Sequence, residues 1–158
     1  MNEIRSGEAP RYEGECYCGN VKVTVFGSPD DAGYCHCRSC RKWHAAPVNA
    51  WTYWSKDKVR ITGDVRKIDL GGLSKRIVCA QCGGGVANDL PEFGGIVVYA
   101  ITLGDSGFKF APKVHIHYAE RVMNVNDGLP KYIAWKDWGE DAGKLVRENG
   151  PTGWCAER

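Results

Sequence analysis

Seven of the eight cysteines in this 158-residue chain fall into three groups, and no other feature restricts the fold as strongly: Cys16-x-Cys18-Gly19, Cys35-x-Cys37-x-x-Cys40 and Cys79-x-x-Cys82-Gly83. A Cys-x-x-Cys turn followed by glycine brings two sulfurs to one ion and leaves backbone N–H groups facing the thiolates. The tighter Cys16-Tyr17-Cys18 loop can do the same. A structural zinc takes four ligands in a tetrahedron, so the pairs 16/18 and 79/82 predict one closed site that clips the first hairpin to the middle of the chain. The middle group offers only Cys35, Cys37 and Cys40, and three protein ligands plus an exchangeable position is the pattern of a catalytic zinc. Two alternatives stay open. A fourth ligand from His36, His44, His115, His117 or Cys155 closes the middle site, with His44 placed best if a helical turn sets it on one face with Cys40. Otherwise the cysteines form disulfides, against which stand the odd count and the lack of an export signal. Cys155 reads most simply as a free surface thiol.

The N-terminal stretch MNEIRSGEAPRYEGEC lacks the apolar core of a signal peptide, and no window approaches the roughly 20 apolar residues of a membrane span. A cytoplasmic, reducing setting is the expectation, which favours metal over disulfides. The formal charge of +2 is no argument for nucleic acid or an anionic membrane. Seven thiolates on two zinc ions would bring it to about −1.

The length suits one domain, and 20 glycines with six tryptophans and seven tyrosines point to turns and strands rather than a helical bundle. Period-two patterns predict strands over 21–26, 47–54, 58–62, 65–70, 74–79, 96–103 and 113–118, separated by glycine turns. A short helical stretch is expected from Ser39 through His44 and a polar one over 140–148. The expectation is a mainly β, single zinc-stapled domain of antiparallel sheets with few short helices. Its divisions are a loose arm over 1–11, the zinc-binding domain over 12–133 and a C-terminal extension over 134–158.

The ordered motifs Gly14-Glu15-Cys16-Tyr17-Cys18-Gly19, Cys35-His36-Cys37-Arg38-Ser39-Cys40-Arg41-Lys42 and Cys79-Ala80-Gln81-Cys82-Gly83 resemble the glutathione-dependent formaldehyde-activating enzyme family, which includes centromere-protein-V-like members. Pro112-Lys113-Val114-His115-Ile116 and Asp127-Gly128-Leu129-Pro130 extend the resemblance, which covers about residues 12–133. It implies a β-tent fold, a structural zinc on Cys16, Cys18, Cys79 and Cys82, and a catalytic zinc on Cys35, Cys37 and Cys40. It also implies a carbon–sulfur lyase-type reaction, the addition of glutathione to formaldehyde to give S-hydroxymethylglutathione. The chain departs from the family pattern at Trp43-His44-Ala45, where a small residue and glycine often follow the basic pair, and at Val122-Met123.

Glutathione carries two carboxylates, and Arg38, Arg41 and Lys42 are the nearest basic residues to receive them, if they are not simply solvated charge. Trp43, Trp51, Tyr53 and Trp54 are candidates for a cleft wall or for core. His115 and His117, two apart on a predicted strand, share a face; one is a candidate partner of the zinc ligands or proton donor, unless both are core histidines. Bulky Trp43 and His44 motivate a second reading, the same zinc–thiol chemistry on another thiol or electrophile. A third is a non-catalytic zinc-stapled binding module, favoured by interleaved aromatic and basic residues over 38–60 and opposed by the near-zero charge.

Overall fold

In the computed structural model, which describes residues 9–146, the valines at 21, 23 and 25 are fully buried. They lie in or next to strand β2 (Lys22–Phe26), which pairs antiparallel with β1 (Arg11–Glu15) on one side and β5 (Val59–Thr62) on the other. β-branched residues on a pleated, covered surface are what such a strand requires. A second antiparallel run follows the order β9 (Gly95–Tyr99), β8 (Gly85–Leu90), β7 (Lys75–Cys79), β6 (Val65–Ile68). These strands belong to one of two compact units, made of the residues up to Asp30 together with Thr52–Lys109.

The core of this unit gathers Trp54, Leu103, Ile77, Val86, Ala87 and Val98 around the β2 valines, and Cys16 and Cys79 are part of it. Each such apolar side chain contributes roughly 1.5–3 kcal/mol on leaving water. The polar atoms inside are satisfied: Trp54 Nε1 donates to Thr52 Oγ1 at 2.7 Å, and Thr52 Oγ1 donates to the Val98 carbonyl at 2.9 Å. Trp54, 0% exposed, is therefore core. Tyr53 is held by its hydroxyl, which donates to the Phe93 carbonyl at 2.8 Å.

The second unit comprises Asp31–Trp51 and the residues from Phe110 onward. Here β3 (Asp31–Cys35) runs parallel to β10 (Val114–Ile116), with Gly33 opposite Val114 and Cys35 opposite Ile116. This parallel pair adds to the antiparallel arrangement expected from the turns; a long excursion of chain separates its strands, as parallel pairing needs. Gly33 permits the close approach, because a Cβ there would stand 2.5 Å from the Val114 carbonyl oxygen. Helix α1 (Arg38–His44) follows β3 directly, and β4 (Asn49–Ser55) has residues in both units. Residues 130–134 lie along the 115–118 segment, with His115 N–H donating to the Pro130 carbonyl and Tyr132 N–H to that of His115, both at 2.9 Å.

Three strands carry no period-two signal and were not expected: β1, β3 and β8. The strand expected over 96–103 stops at Tyr99, and Ala100–Ser106 continues as 3-10 helix. Within the described part of 140–148 there are turns and a bridge from Leu145 to Tyr132 instead of a helix, consistent with its lack of an apolar face; residues 147 and 148 lie outside the described residues. No helix among the described residues is long and apolar enough to cross a membrane.

Candidate metal centres

The first cysteine pair sits in the β1–β2 turn and the third group in the β7–β8 turn, and the two turns are built alike. In each, the N–H of the first cysteine donates to a carbonyl five residues on, Cys16 to Val21 at 3.0 Å and Cys79 to Gly84 at 2.9 Å. The glycine after the second cysteine has positive φ, +81° at Gly19 and +72° at Gly83, a conformation natural to glycine, and its N–H returns to the first cysteine's carbonyl. All four sulfurs lie within 4.8 Å of one another. Cys16 to Cys18 is 3.6 Å and Cys18 to Cys79 is 3.8 Å. Sulfurs about 2.3 Å from one zinc in tetrahedral array stand about 3.8 Å apart, whereas a disulfide would bring them to about 2.05 Å. Val21 N–H faces Cys16 Sγ at 3.3 Å and Gly84 N–H faces Cys82 Sγ at 3.4 Å. The Gly84 contact draws the Cys82 thiol below its ordinary value, against desolvation. This donor set fits a structural zinc.

The second cluster comes from β3 and α1. Cys35 ends the strand, Cys37 caps the helix, and Cys40 lies in its first turn, its N–H donating to Cys37 Sγ at 3.1 Å. Their three sulfurs also lie within 4.8 Å of one another, with no histidine, aspartate, glutamate or fourth cysteine joining them among the described residues. Cys155 lies outside those residues. The neighbouring sulfurs of Cys37 and Cys40, with burial, push the Cys35 thiol well above its usual value. Cys37 is raised too: its contact with Cys35 lowers it, but Cys40 and burial prevail. Three crowded thiols resist ionising together unless a cation compensates them, which is what a divalent metal supplies.

Of the basic residues expected to meet substrate, Arg38 and Lys42 are exposed on α1. Arg41 is half-buried and turned inward, its Nε donating to the His36 carbonyl at 3.0 Å, so it braces the cysteine segment itself. Trp51 is buried, with its indole N–H unpartnered among the described residues. His115 and His117 do not share a face: β10 ends at Ile116 and His117 turns away with φ of +52°.

Sequence reasoning missed how the histidines are wired. His36 and His115, fully buried, approach at 2.8 Å between Nε2 and Nδ1, and His115 Nε2 lies 2.7 Å from Asp127 Oδ2. Burial, then His115 and the cations Arg121, Arg41 and Lys131, lower His36 to about 4. Burial opposes the charge of Asp127, but bonds from His115, Lys131 and the Leu129 N–H hold its carboxyl well below the usual carboxylate range. The only sequence signal was the pair of motifs at 112–116 and 127–130.

The depressed pKa of Asp127 has a pH consequence. A carboxyl that releases its proton more readily when folded contributes stability above its unfolded value of about 3.9, and that contribution fades as pH falls below about 4. In thermal melts, the parent is expected to exceed Asp127→Asn in Tm by a constant margin above about pH 5, and the margin to close below about pH 4. A margin independent of pH would show that the carboxylate charge is not what stabilises.

The arrangement defines a class: a small, mainly β protein with a closed four-sulfur clip and a separate cluster of three sulfurs. Residues 11–120 match the family described as glutathione-dependent formaldehyde-activating enzyme, and the chain belongs to that family. A curated relative, an uncharacterised lyase of Schizosaccharomyces pombe, is 31% identical over 74 residues, 47% of this chain and 54% of the relative; the chain thus spans about half the length of the relative it matches. A solved Rhodobacter sphaeroides protein is similar at 20% identity and a TM-score of 0.49, over 61% of this chain and 90% of the other.

Proposed function

We propose that this chain is a zinc-dependent carbon–sulfur lyase-type enzyme that joins a small thiol to a small aldehyde, with glutathione and formaldehyde as the substrates. One observation carries the reading: in a member of this family, Cys35, Cys37 and Cys40 gather three sulfurs with no fourth donor among the described residues. The lyase in the relative's name agrees with it. Zinc held there would acidify an outside thiol, and three thiolate ligands favour exchange of soft sulfur over hydrolysis. The protein's own part is to bind and orient. Arg38 and Lys42 are offered to the substrate carboxylates, with Arg41 contributing whatever its bond to the His36 carbonyl leaves free. The thiol sulfur attacks the aldehyde carbon, the carbon–oxygen π pair moves to oxygen, and the thiol's proton ends on that oxygen. The product is S-hydroxymethylglutathione, and nothing else is consumed. The working unit is residues 12–133, in a reducing, cytoplasmic setting.

The test is zinc content and zinc X-ray absorption during titration with glutathione. Two zinc ions per chain are expected, and one added sulfur per chain on binding. A shell that ignores glutathione but gains sulfur from another small thiol would move the chemistry to that substrate. A shell unchanged by every thiol would overturn the reading in favour of a stapled binding module.

A further inference from the structure

Cys37 is bracketed. The residue before it, His36, is held through its ring by His115, which is held in turn by Asp127. The residue after it, Arg38, donates its backbone N–H to Glu120 Oε2 at 2.7 Å, and Glu120 Oε1 lies 3.3 Å from His117 Nδ1. Two histidine–carboxylate couples from one stretch of chain, 115–127, therefore end on the two neighbours of a single cysteine.

The inner couple is built tightly. Tyr34 stacks on His115 with centroids 4.9 Å apart, and Tyr118 sets its ring edge-on to both imidazoles. Lys131 Nζ and the Leu129 N–H add bonds to Asp127 at 2.9 and 3.1 Å. The parallel register of Cys35 on Ile116 and the His36 N–H donating to the Ile116 carbonyl at 3.1 Å fix the backbone at the same place. His36 Nδ1 is left buried without a partner among the described residues. An apolar core would fill this space without the cost of dehydrating two imidazoles. The outer couple carries a cost of its own: His117 sits at positive φ, a conformation strained for a non-glycine residue, and from there the 3-10 turn Tyr118–Glu120 returns the carboxylate to Arg38. Expense at both ends of one contact argues for a demand on the position of Cys37 that packing alone does not make.

We propose that His115 with Asp127, and Glu120 with His117, are positioning residues that hold Cys37 in register for a metal on Cys35, Cys37 and Cys40, and so set how firmly that site retains zinc. This rests on reading the three cysteines as a zinc site. Loss of a partner that orients metal ligands typically costs about 10–100-fold in affinity. In chelator competition on the zinc-loaded protein, His115→Phe and Glu120→Gln are each expected to weaken one of the two zinc ions by about that factor and leave the other unchanged. In a Cys40→Ser background, which removes the three-sulfur site, neither should affect the zinc that remains. Unchanged retention of both ions overturns the proposal, as does parallel weakening of both ions with a falling Tm, the mark of a purely structural role. Should His115→Phe fail to fold, Glu120→Gln decides alone, since its carboxylate is 42% exposed. A parent holding only one zinc per chain, or a Cys40→Ser variant still holding two, would overturn the zinc reading and this proposal with it; two ions in the parent with an unmoved affinity in both variants overturns this proposal only.

Discussion

Cys79→Ser is expected to unfold the β unit that contains it. Cys79 is 1% exposed at the end of β7, and it belongs at once to the four-sulfur cluster and to the apolar core around Trp54. A structural zinc contributes about 10–16 kcal/mol of apparent binding energy, while a whole domain is stable by only about 5–15 kcal/mol. Losing the clip therefore exceeds what packing can carry. It would leave the β1–β2 and β7–β8 turns, which lie in different sheets, held together by core packing alone, with a buried hydroxyl in place of a metal ligand. Thermal melting and metal analysis on the purified variant check this: the cooperative transition should vanish or fall by tens of degrees, at roughly 2–4 °C for each kcal/mol in a chain of this size. A Tm within a few degrees of the parent would mean that the four sulfurs do not staple the fold.

Cys37→Ser is expected to do the opposite, leaving the fold and removing the chemistry. Serine is among the best helix caps, so its hydroxyl can accept the Cys40 N–H that Cys37 Sγ accepts now. What it does not supply is a soft thiolate, and the cluster falls from three sulfurs to two. Several kcal/mol of metal-derived stabilisation is at stake, and each 1.36 kcal/mol is tenfold in rate. The enzyme-dependent rate of thiol–aldehyde addition should drop about 10²–10⁴-fold, with one zinc per chain remaining and Tm within a few degrees of the parent. If Cys37→Ser and Cys79→Ser lose equal Tm, the two cysteine clusters do not divide structure from reaction.

The cysteine clusters were legible because their chemistry is written locally. Two sulfurs two or three residues apart with a glycine behind them imply a knuckle whatever surrounds them, and the structure closes 16/18 on 79/82 and gathers 35, 37 and 40. Strands with alternating side chains, such as β2, were equally readable. The polar β1, and β3 with its glycine and two small residues, were not, since their pairing comes from partners and not from their own pattern.

Residue spacing thus determined which sulfurs are presented together as candidate metal ligands, for the geometry of each knuckle is settled within a turn of chain. Only the tertiary structure decided what surrounds them. His36 meets His115 from 79 positions away, Arg41 turns back on the His36 carbonyl, and Glu120 reaches Arg38. Single polar side chains carry no period and no spacing rule; they find one another through the register of β3 on β10, which exists only once the chain has folded.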